Sequence, residues 1–162
     1  MRYAYPLCVL AILAFLPSCA GPNLDTAMQA AQAKGSIDSL WSGYAVAADR
    51  RDETAFRSLF TDDAILDFSG APSVTGKSAI ASFLRERYTP IDETGFKVTP
   101  DDLKASGDLA TQGGTFEERF TEADVPKIEY GRYVLVAEKG SDSAWRIRRL
   151  MAVADSTVKA TE

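Results

Sequence analysis

From Ser36 onward, apolar residues recur with helical spacing. Ile37, Leu40, Trp41, Tyr44 and Ala48 stand at i, i+3, i+4, i+7 and i+11, one stripe of an amphipathic helix whose aromatic members predict a deep core. Asp52 is placed to cap a second helix carrying Phe56, Leu59 and Phe60 on one face, and Thr61-Asp62-Asp63 reads as its turn-forming end. A short strand from Ala64 to Phe68, a turn at Ser69-Gly70-Ala71-Pro72 and a brief return strand at Ser73-Val74-Thr75 follow. A third helix then runs from about Lys77 to Tyr88, burying Ile80, Phe83 and Leu84. Past the Thr89-Pro90 breaker the pattern turns to long β-type segments: Gly95 to Ala105, Leu109 to Thr121, Lys127 to Glu138 and Ala144 to Ala154. Their separators, Ser106-Gly107-Asp108, Glu122 to Pro126 and Gly140 to Ser143, are turn-like. Three helices followed by adjacent antiparallel strands give an α+β layout, with the helices on one face of a curved sheet.

The residues before Ser36 read differently. Arg2 and the apolar run from Leu7 to Leu16, between Pro6 and Pro17, have the form of a signal peptide; the run is shorter than the roughly 20 apolar residues that span a bilayer. Gly21-Pro22-Asn23 reads as a tether. Thr26 with Gln29 has capping-box spacing, and Ala27 to Ala33 reads as a frayed helical leader broken at Gly35-Ser36, or as a spacer. Leu16-Pro17-Ser18-Cys19 resembles a bacterial lipobox, although Pro17 is atypical of one. That resemblance implies lipidation of Cys19, a new N-terminus there, and anchoring on the periplasmic side of the cell envelope, with the outer membrane favoured because Ala20 rather than Asp follows. Ser18-Cys19-Ala20 also fits ordinary small-x-small cleavage, which releases a soluble periplasmic or secreted protein. The expected organisation is a signal peptide over 1–18, a lipid-bearing cysteine and leader over 19–35, one domain over 36–155 and a polar tail over 156–162.

Composition narrows the chemistry. With 162 residues and 46% hydrophobic content, the chain supports one ordinary core. It has no histidine, which excludes Ser-His-Asp and Cys-His relays and His-ligated zinc, so proton transfer falls to Asp, Glu, Tyr, Lys or water. Its two cysteines both lie in the leader, so the domain has to hold without a disulfide. A formal charge of -5 argues against nonspecific nucleic-acid binding, which draws on Lys and Arg. The stretch Gly70 to Ser78, GAPSVTGKS, invites a phosphate-loop reading but has five residues rather than four before its GK pair, one of them Pro72 without an N–H; a turn before the third helix is the simpler reading. Asp62-Asp63 lacks the further ligands a metal site needs. No cofactor and no metal are expected.

In order, AADRRDETAFRSLFTDDAILDF, VTGKSAI, SGDLATQGGTF, GRYVLVAEK and WRIRRLMA resemble SnoaL-like members of the nuclear transport factor 2-like superfamily, notably its domain-of-unknown-function 4440 branch. The resemblance covers about Ser36 to Ala154. It implies a cone, in which a bent sheet wraps the helices and opens at one end as a pocket, often dimeric through the sheet. The superfamily includes ketosteroid isomerase, dehydratases, hydrolases, cyclases and non-catalytic binding modules, so the fold does not choose a function. Laid on FTDDAILDF, the isomerase pattern puts its oxyanion-hole tyrosine at Tyr44. Its base falls on Phe68, which accepts no proton, and its second acid falls near Gly131 or Arg132. Asp67 adjoins the base position but points to the opposite face of a strand.

Alternation selects further candidates. Ala110, Gln112, Gly114, Phe116, Glu118 and Phe120 form the more apolar face of one strand, and Trp145, Ile147, Arg149, Met151 and Val153 the matching set of the last. Gln112, Glu118 and Arg149 interrupt these faces and need polar partners. With Tyr44, Arg132, Phe68, Phe116 and Trp41 as a core or wall residue, they make up the expected pocket. A structural alternative pairs Arg149 with Glu118 or sends it to solvent, and acids on a neighbouring strand account for the Arg146, Arg148 and Arg149 cluster. The functional expectation is an envelope-anchored cone, dimeric through its sheet, that captures a small apolar or amphipathic ligand. The alternative is a cofactor-independent isomerase, dehydratase or hydrolase in which Tyr44 serves an oxyanion, Glu118 or Asp67 moves the proton and Arg149 polarises the substrate. A protein-interaction module, marked by an occluded cone and an exposed apolar patch, is a third reading.

Overall fold

The structure is a computed structural model and describes residues 24–160; the signal-peptide stretch, Cys19 and the Gly21-Pro22-Asn23 tether lie outside the described residues. Its elements run α1 (Leu24–Arg50), α2 (Glu53–Leu59), β1 (Phe60–Phe68), β2 (Val74–Thr75), α3 (Lys77–Tyr88), β3 (Ile91–Ser106), β4 (Leu109–Glu122), β5 (Val125–Lys139) and β6 (Trp145–Lys159). The six strands form one curled sheet in the order β2-β1-β6-β5-β4-β3, with β1 parallel to β6 and the other pairs antiparallel. The helices fill its concave side, where Ile37, Trp41 and Tyr44 of α1, Phe56 of α2 and Ile80 and Leu84 of α3 meet Leu66, Leu135 and Ile147 of the sheet.

Local chemistry accounts for most boundaries. The Asp52 carboxylate accepts from the Ala55 amide and caps α2. Gly76, at φ 90, turns the chain into α3, and Lys77 of the GKS triplet pairs with Asp62, so that segment is a helix entry.

Four expectations are corrected. The helix does not break at Gly35-Ser36. Ala33 and Ile37 are buried on the same face, and that packing outweighs the roughly 1 kcal/mol a mid-helix glycine costs; the Ser36 and Ser39 hydroxyls bond carbonyls one turn back. Thr61-Asp62-Asp63 is strand rather than turn, because Phe60, Ala64 and Leu66 are buried along β1 while the acids face outward to Lys77 and Arg148. The polar tail is structured as far as Lys159: Ser156, Thr157, Val158 and Lys159 extend β6 along Tyr130, Glu129, Ile128 and Lys127. Finally, the inward face of β6 is not a single alternating set. Ile147 points in, a bulge intervenes where Ala137 pairs with Ile147 and Val136 with Arg149, and beyond it Leu150 and Ala152 are the buried residues.

Candidate functional site

On β4 every even position from Ala110 to Phe120 is buried, as its alternation predicts. The inner end of this strand is one wall of a cavity within the cone. Trp41 and Tyr44 of α1, Tyr88 of α3, Phe68 of β1, Phe96 of β3 and Tyr133 of β5 surround it, with Phe116 and Glu118 of β4 and Leu150 and Ala152 of β6. The empty space between these side chains is about 330 Å³ including the mouth, but the centre of a water-sized sphere has only about 20 Å³ in which to move. The cone as it stands holds about one water, and a larger guest requires side chains to turn.

Glu118 is the charged group on that wall, and it is 2% exposed. Its Oε2 lies 3.5 Å from Nη2 of Arg87, and the same nitrogen lies 3.1 Å from Oε1 of Glu129. Glu118 and Glu129 are direct cross-strand partners, so Arg87, reaching down from the end of α3, neutralises a repulsion between facing carboxylates. The Arg87 guanidinium also lies over the Phe68 ring, 4.8 Å from its centroid. Two buried polar atoms here have no hydrogen-bond partner among the described residues: Oε1 of Glu118 and Nε of Arg87. Burial raises the Glu118 pKa above the ordinary carboxylate value, opposed by the Arg87 charge and the Tyr88 hydroxyl and reinforced by Glu129. The Tyr44 and Tyr88 hydroxyls are 3.3 Å apart, and Tyr88 is held well above the usual tyrosine value, first by burial and then by Tyr44 and Glu118. The chemical inventory is thus a carboxyl group with raised proton affinity beside two linked phenols, enclosed by aromatic rings.

Of the residues expected at the pocket, Trp41, Tyr44, Phe68, Phe116 and Glu118 line the cavity. Gln112 does not. It is 1% exposed and lies behind the wall, where its Oε1 accepts from Trp41 Nε1 at 2.8 Å and from the Tyr133 hydroxyl at 2.9 Å. Arg149, carried outward past the β6 bulge, pairs with Asp67 at 2.7 Å; Asp67 also accepts from Ser73, and that bond, with Arg149, holds its pKa below the ordinary value. Neither faces the cone, so Asp67 cannot move a proton there, and Arg149 does not bridge to Glu118. Arg132 is likewise outside, with 69% of its side chain exposed and bonded to Asp155. The Arg cluster pairs with facing acids as expected, Arg148 with Glu138 and Asp63 and Arg146 with Asp142.

Sequence reasoning missed Tyr88, Arg87, Phe96 and Tyr133. Tyr88 continues the Ile80-Leu84 stripe at i+8, and Tyr133 belongs to the odd-numbered apolar set Gly131, Tyr133, Leu135 and Ala137, so both carried a signal. Arg87 carried one too, as a cation at i+7 of the same stripe, but which carboxylates answer it depends on two distant strands.

A family model described as a SnoaL-like domain matches residues 29–151. The chain belongs to the SnoaL-like family. Its match begins within α1, in keeping with a helix that is continuous through Gly35. Among solved structures the domain is similar to a ketosteroid isomerase-like protein from Erwinia carotovora atroseptica SCRI1043 at 20% identity and TM-score 0.66, over 75% of this chain and 95% of the other. It is similar to the Kfla4162 protein from Kribbella flavida at 23% identity and TM-score 0.71, covering 80% and 95%. It is also similar to a type 2 hexachlorocyclohexane dehydrochlorinase, LinA, at 16% identity and TM-score 0.66, covering 83% and 93%. These likenesses establish the nuclear transport factor 2-like fold. No curated protein matches the chain.

Proposed function

We propose that this SnoaL-like domain captures a small, mainly apolar ligand in its cone, where a single polar group of the ligand meets Oε1 of Glu118. The observation that carries this reading is the unpartnered oxygen itself. A buried carboxylate oxygen without a hydrogen bond costs on the order of 1–3 kcal/mol or more, a cost that a ligand group or a water relieves. The aromatic walls supply the apolar contact. The test is to purify the protein from its own envelope and extract what it holds, with mass spectrometry of the extract. A compound present with the wild type and depleted in Glu118→Leu supports the reading; identical extracts from the two count against it.

An enzymatic version draws on the same wall. A carboxyl of raised proton affinity beside the Tyr44-Tyr88 pair has the parts for proton transfer with support of an oxyanion, as in a cofactor-independent isomerase or dehydratase. Glu118 takes the proton-carrying role alone, since Asp67 faces away and Phe68 occupies the isomerase base position. Deuterium entering the captured compound in heavy water, and failing to enter with Glu118→Gln, supports catalysis.

The remaining expectations extend this proposal. The outer sheet face bears exposed Tyr130, Val134, Met151 and Val153, with Val134 directly opposite Met151, and this patch supports a homodimer through the sheet; sedimentation of Val134→Glu as a monomer against a wild-type dimer tests it. The lipobox-like Leu16 to Cys19 supports envelope anchoring, which loss of acyl labelling in Cys19→Ala tests. The five ordered motifs support placement near the domain-of-unknown-function 4440 branch.

A further inference from the structure

The cone is nearly full, yet a wider space lies directly outside it. Between α1 and β3 a groove gives the centre of a water-sized sphere about 430 Å³, against about 20 Å³ inside. Trp41 and Phe96 wall both spaces, so these two rings form the partition between them.

The two rings are held very differently. Trp41 is buried, donates Nε1 to Gln112 and packs against Tyr133 at 4.7 Å between centroids. Phe96 has ring contacts alone: Trp41 at 6.1 Å, Tyr44 at 5.4 Å and Phe116 at 6.4 Å. It is partly exposed and sits on β3, an edge strand paired only with β4. Register shifts at Glu93/Gly95 and Pro100/Asp102 bracket it, and no atom stands within 4 Å of where a Cβ on Gly95 would project. Bulges interrupt the ladder and an edge strand lacks a second neighbour, so this stretch yields more readily than the strands beside it. Turning Trp41 breaks a buried hydrogen bond, whereas turning Phe96 breaks none.

We propose that Phe96 is the gate of the cone, and that groove and cone together form one elongated site for a neutral ligand with a fused or linked aromatic body. One ligand ring takes the place of the Phe96 ring against Trp41, Tyr44 and Phe116, and the rest lies in the groove along Ala45, Val98 and Pro100. The inference rests on the ligand-capture reading above and adds the route, the shape and the charge of the guest. Shape follows from volume: the interior accepts a ring only where Phe96 vacates one, and the open space continues outward. Charge follows from the ends. The inner end carries Glu118 against Arg87, at the rim Lys34 is bonded to Asp38 at 2.7 Å, and Lys97 of the groove lies exposed to solvent, so the buried part of the site holds no unanswered cation for a charged guest.

The test uses the purified full chain and N-phenyl-1-naphthylamine, a neutral two-ring-system probe, in stopped flow. Energy transfer from tryptophan reports probe within the protein rather than in detergent. With the wild type, the observed rate is expected to level off with probe concentration at the opening rate of the gate. Phe96→Ala is expected to raise that plateau at least ten-fold, Phe96→Trp to lower it at least ten-fold, and Phe96→Leu to give an intermediate value should the alanine variant fail to fold. Naphthalene is expected to displace the probe at lower concentration than the linear alcohol dodecanol. Rates within two-fold across all residue-96 variants, or acceleration by Phe68→Ala instead, overturn the gate while leaving capture standing; dodecanol outcompeting naphthalene overturns the ring assignment. Absence of transfer with the wild type and every variant refutes capture, and the gate with it.

Discussion

Gln112 is the most exacting test of how the cone wall is built. A single oxygen, Oε1, accepts from two buried donors on different elements, the Trp41 indole N–H of α1 and the Tyr133 hydroxyl of β5. Gln112→Leu preserves size and removes the acceptor. Both donors then lose this acceptor in a buried, aromatic surround, and each such loss costs about 1–3 kcal/mol. The expected destabilisation is therefore roughly 2–6 kcal/mol, a large share of the 5–15 kcal/mol by which domains are ordinarily stable. Urea unfolding at pH 7, followed by far-ultraviolet circular dichroism, measures it. The same geometry requires coupling: Tyr133→Phe costs about 0.5–1.5 kcal/mol in the wild type but should be neutral or stabilising with Leu at position 112, where the hydroxyl has already lost this acceptor. A loss below about 1 kcal/mol in Gln112→Leu, or an equal effect of Tyr133→Phe in both backgrounds, would refute the shared-acceptor arrangement.

Other outcomes follow from the same geometry. The folded-state pKa of Glu118 is raised by burial, so the folded chain binds its proton more tightly than the unfolded chain does; stability should fall as pH rises above the ordinary carboxylate value through the raised one, and Glu118→Gln should flatten that slope in urea titrations from pH 4.5 to 7. Burial pushes the Tyr133 hydroxyl up to about 12, so its contribution should persist below pH 10 and be lost as pH climbs from 10 toward 12, a decline that Tyr133→Phe should lessen. Gly131 lies directly opposite Phe116, and a Cβ there would overlap both the Phe116 ring and the Val153 carbonyl; Gly131→Ala should cost about 1–3 kcal/mol in thermal or urea unfolding. Arg149→Ala and Arg132→Ala break exposed ion pairs and should each change stability by no more than about 1 kcal/mol, with probe uptake unchanged.

Where one physical rule governs a segment, the sequence sufficed. The stripe from Ile37 to Ala48 is buried at every member, and the strict two-residue period of β4 placed Phe116 and Glu118 on the inner face before any tertiary information entered. Glu118 was legible because a charge on an apolar face has to be answered by something. What answers it was not. Arg87 stands at i+7 of the Ile80-Phe83-Leu84 stripe, a cation on an apolar face, but its place between Glu118 and Glu129 depends on how a helix end meets two strands far along the chain. Gln112 was recognised as buried and polar, but whether such a group faces a cavity or braces the wall behind it turns on which donors approach from other elements.

The last strand shows why alternation alone misplaced an arginine. Counting by twos from Trp145 carries Arg149, Met151 and Val153 inward, and the count holds as far as Ile147. Between Ile147 and Arg149 the strand spends two steps against one step of β5, from Ala137 to Val136, so Arg148 is the extra residue of a bulge. One inserted residue reverses the face of everything after it. The reversal has a chemical logic that can be read only with the neighbours in place. On the outer side of β1, Asp67 is there to receive Arg149, while Leu150 and Ala152 fill the cavity wall beside Phe68. Without the bulge, Arg149 would stand on the inner face level with Leu135 and Gln112, a cation set among apolar side chains. The bulge thus keeps this face of the cone apolar, with Leu150 and Ala152 rather than an arginine lining the cavity.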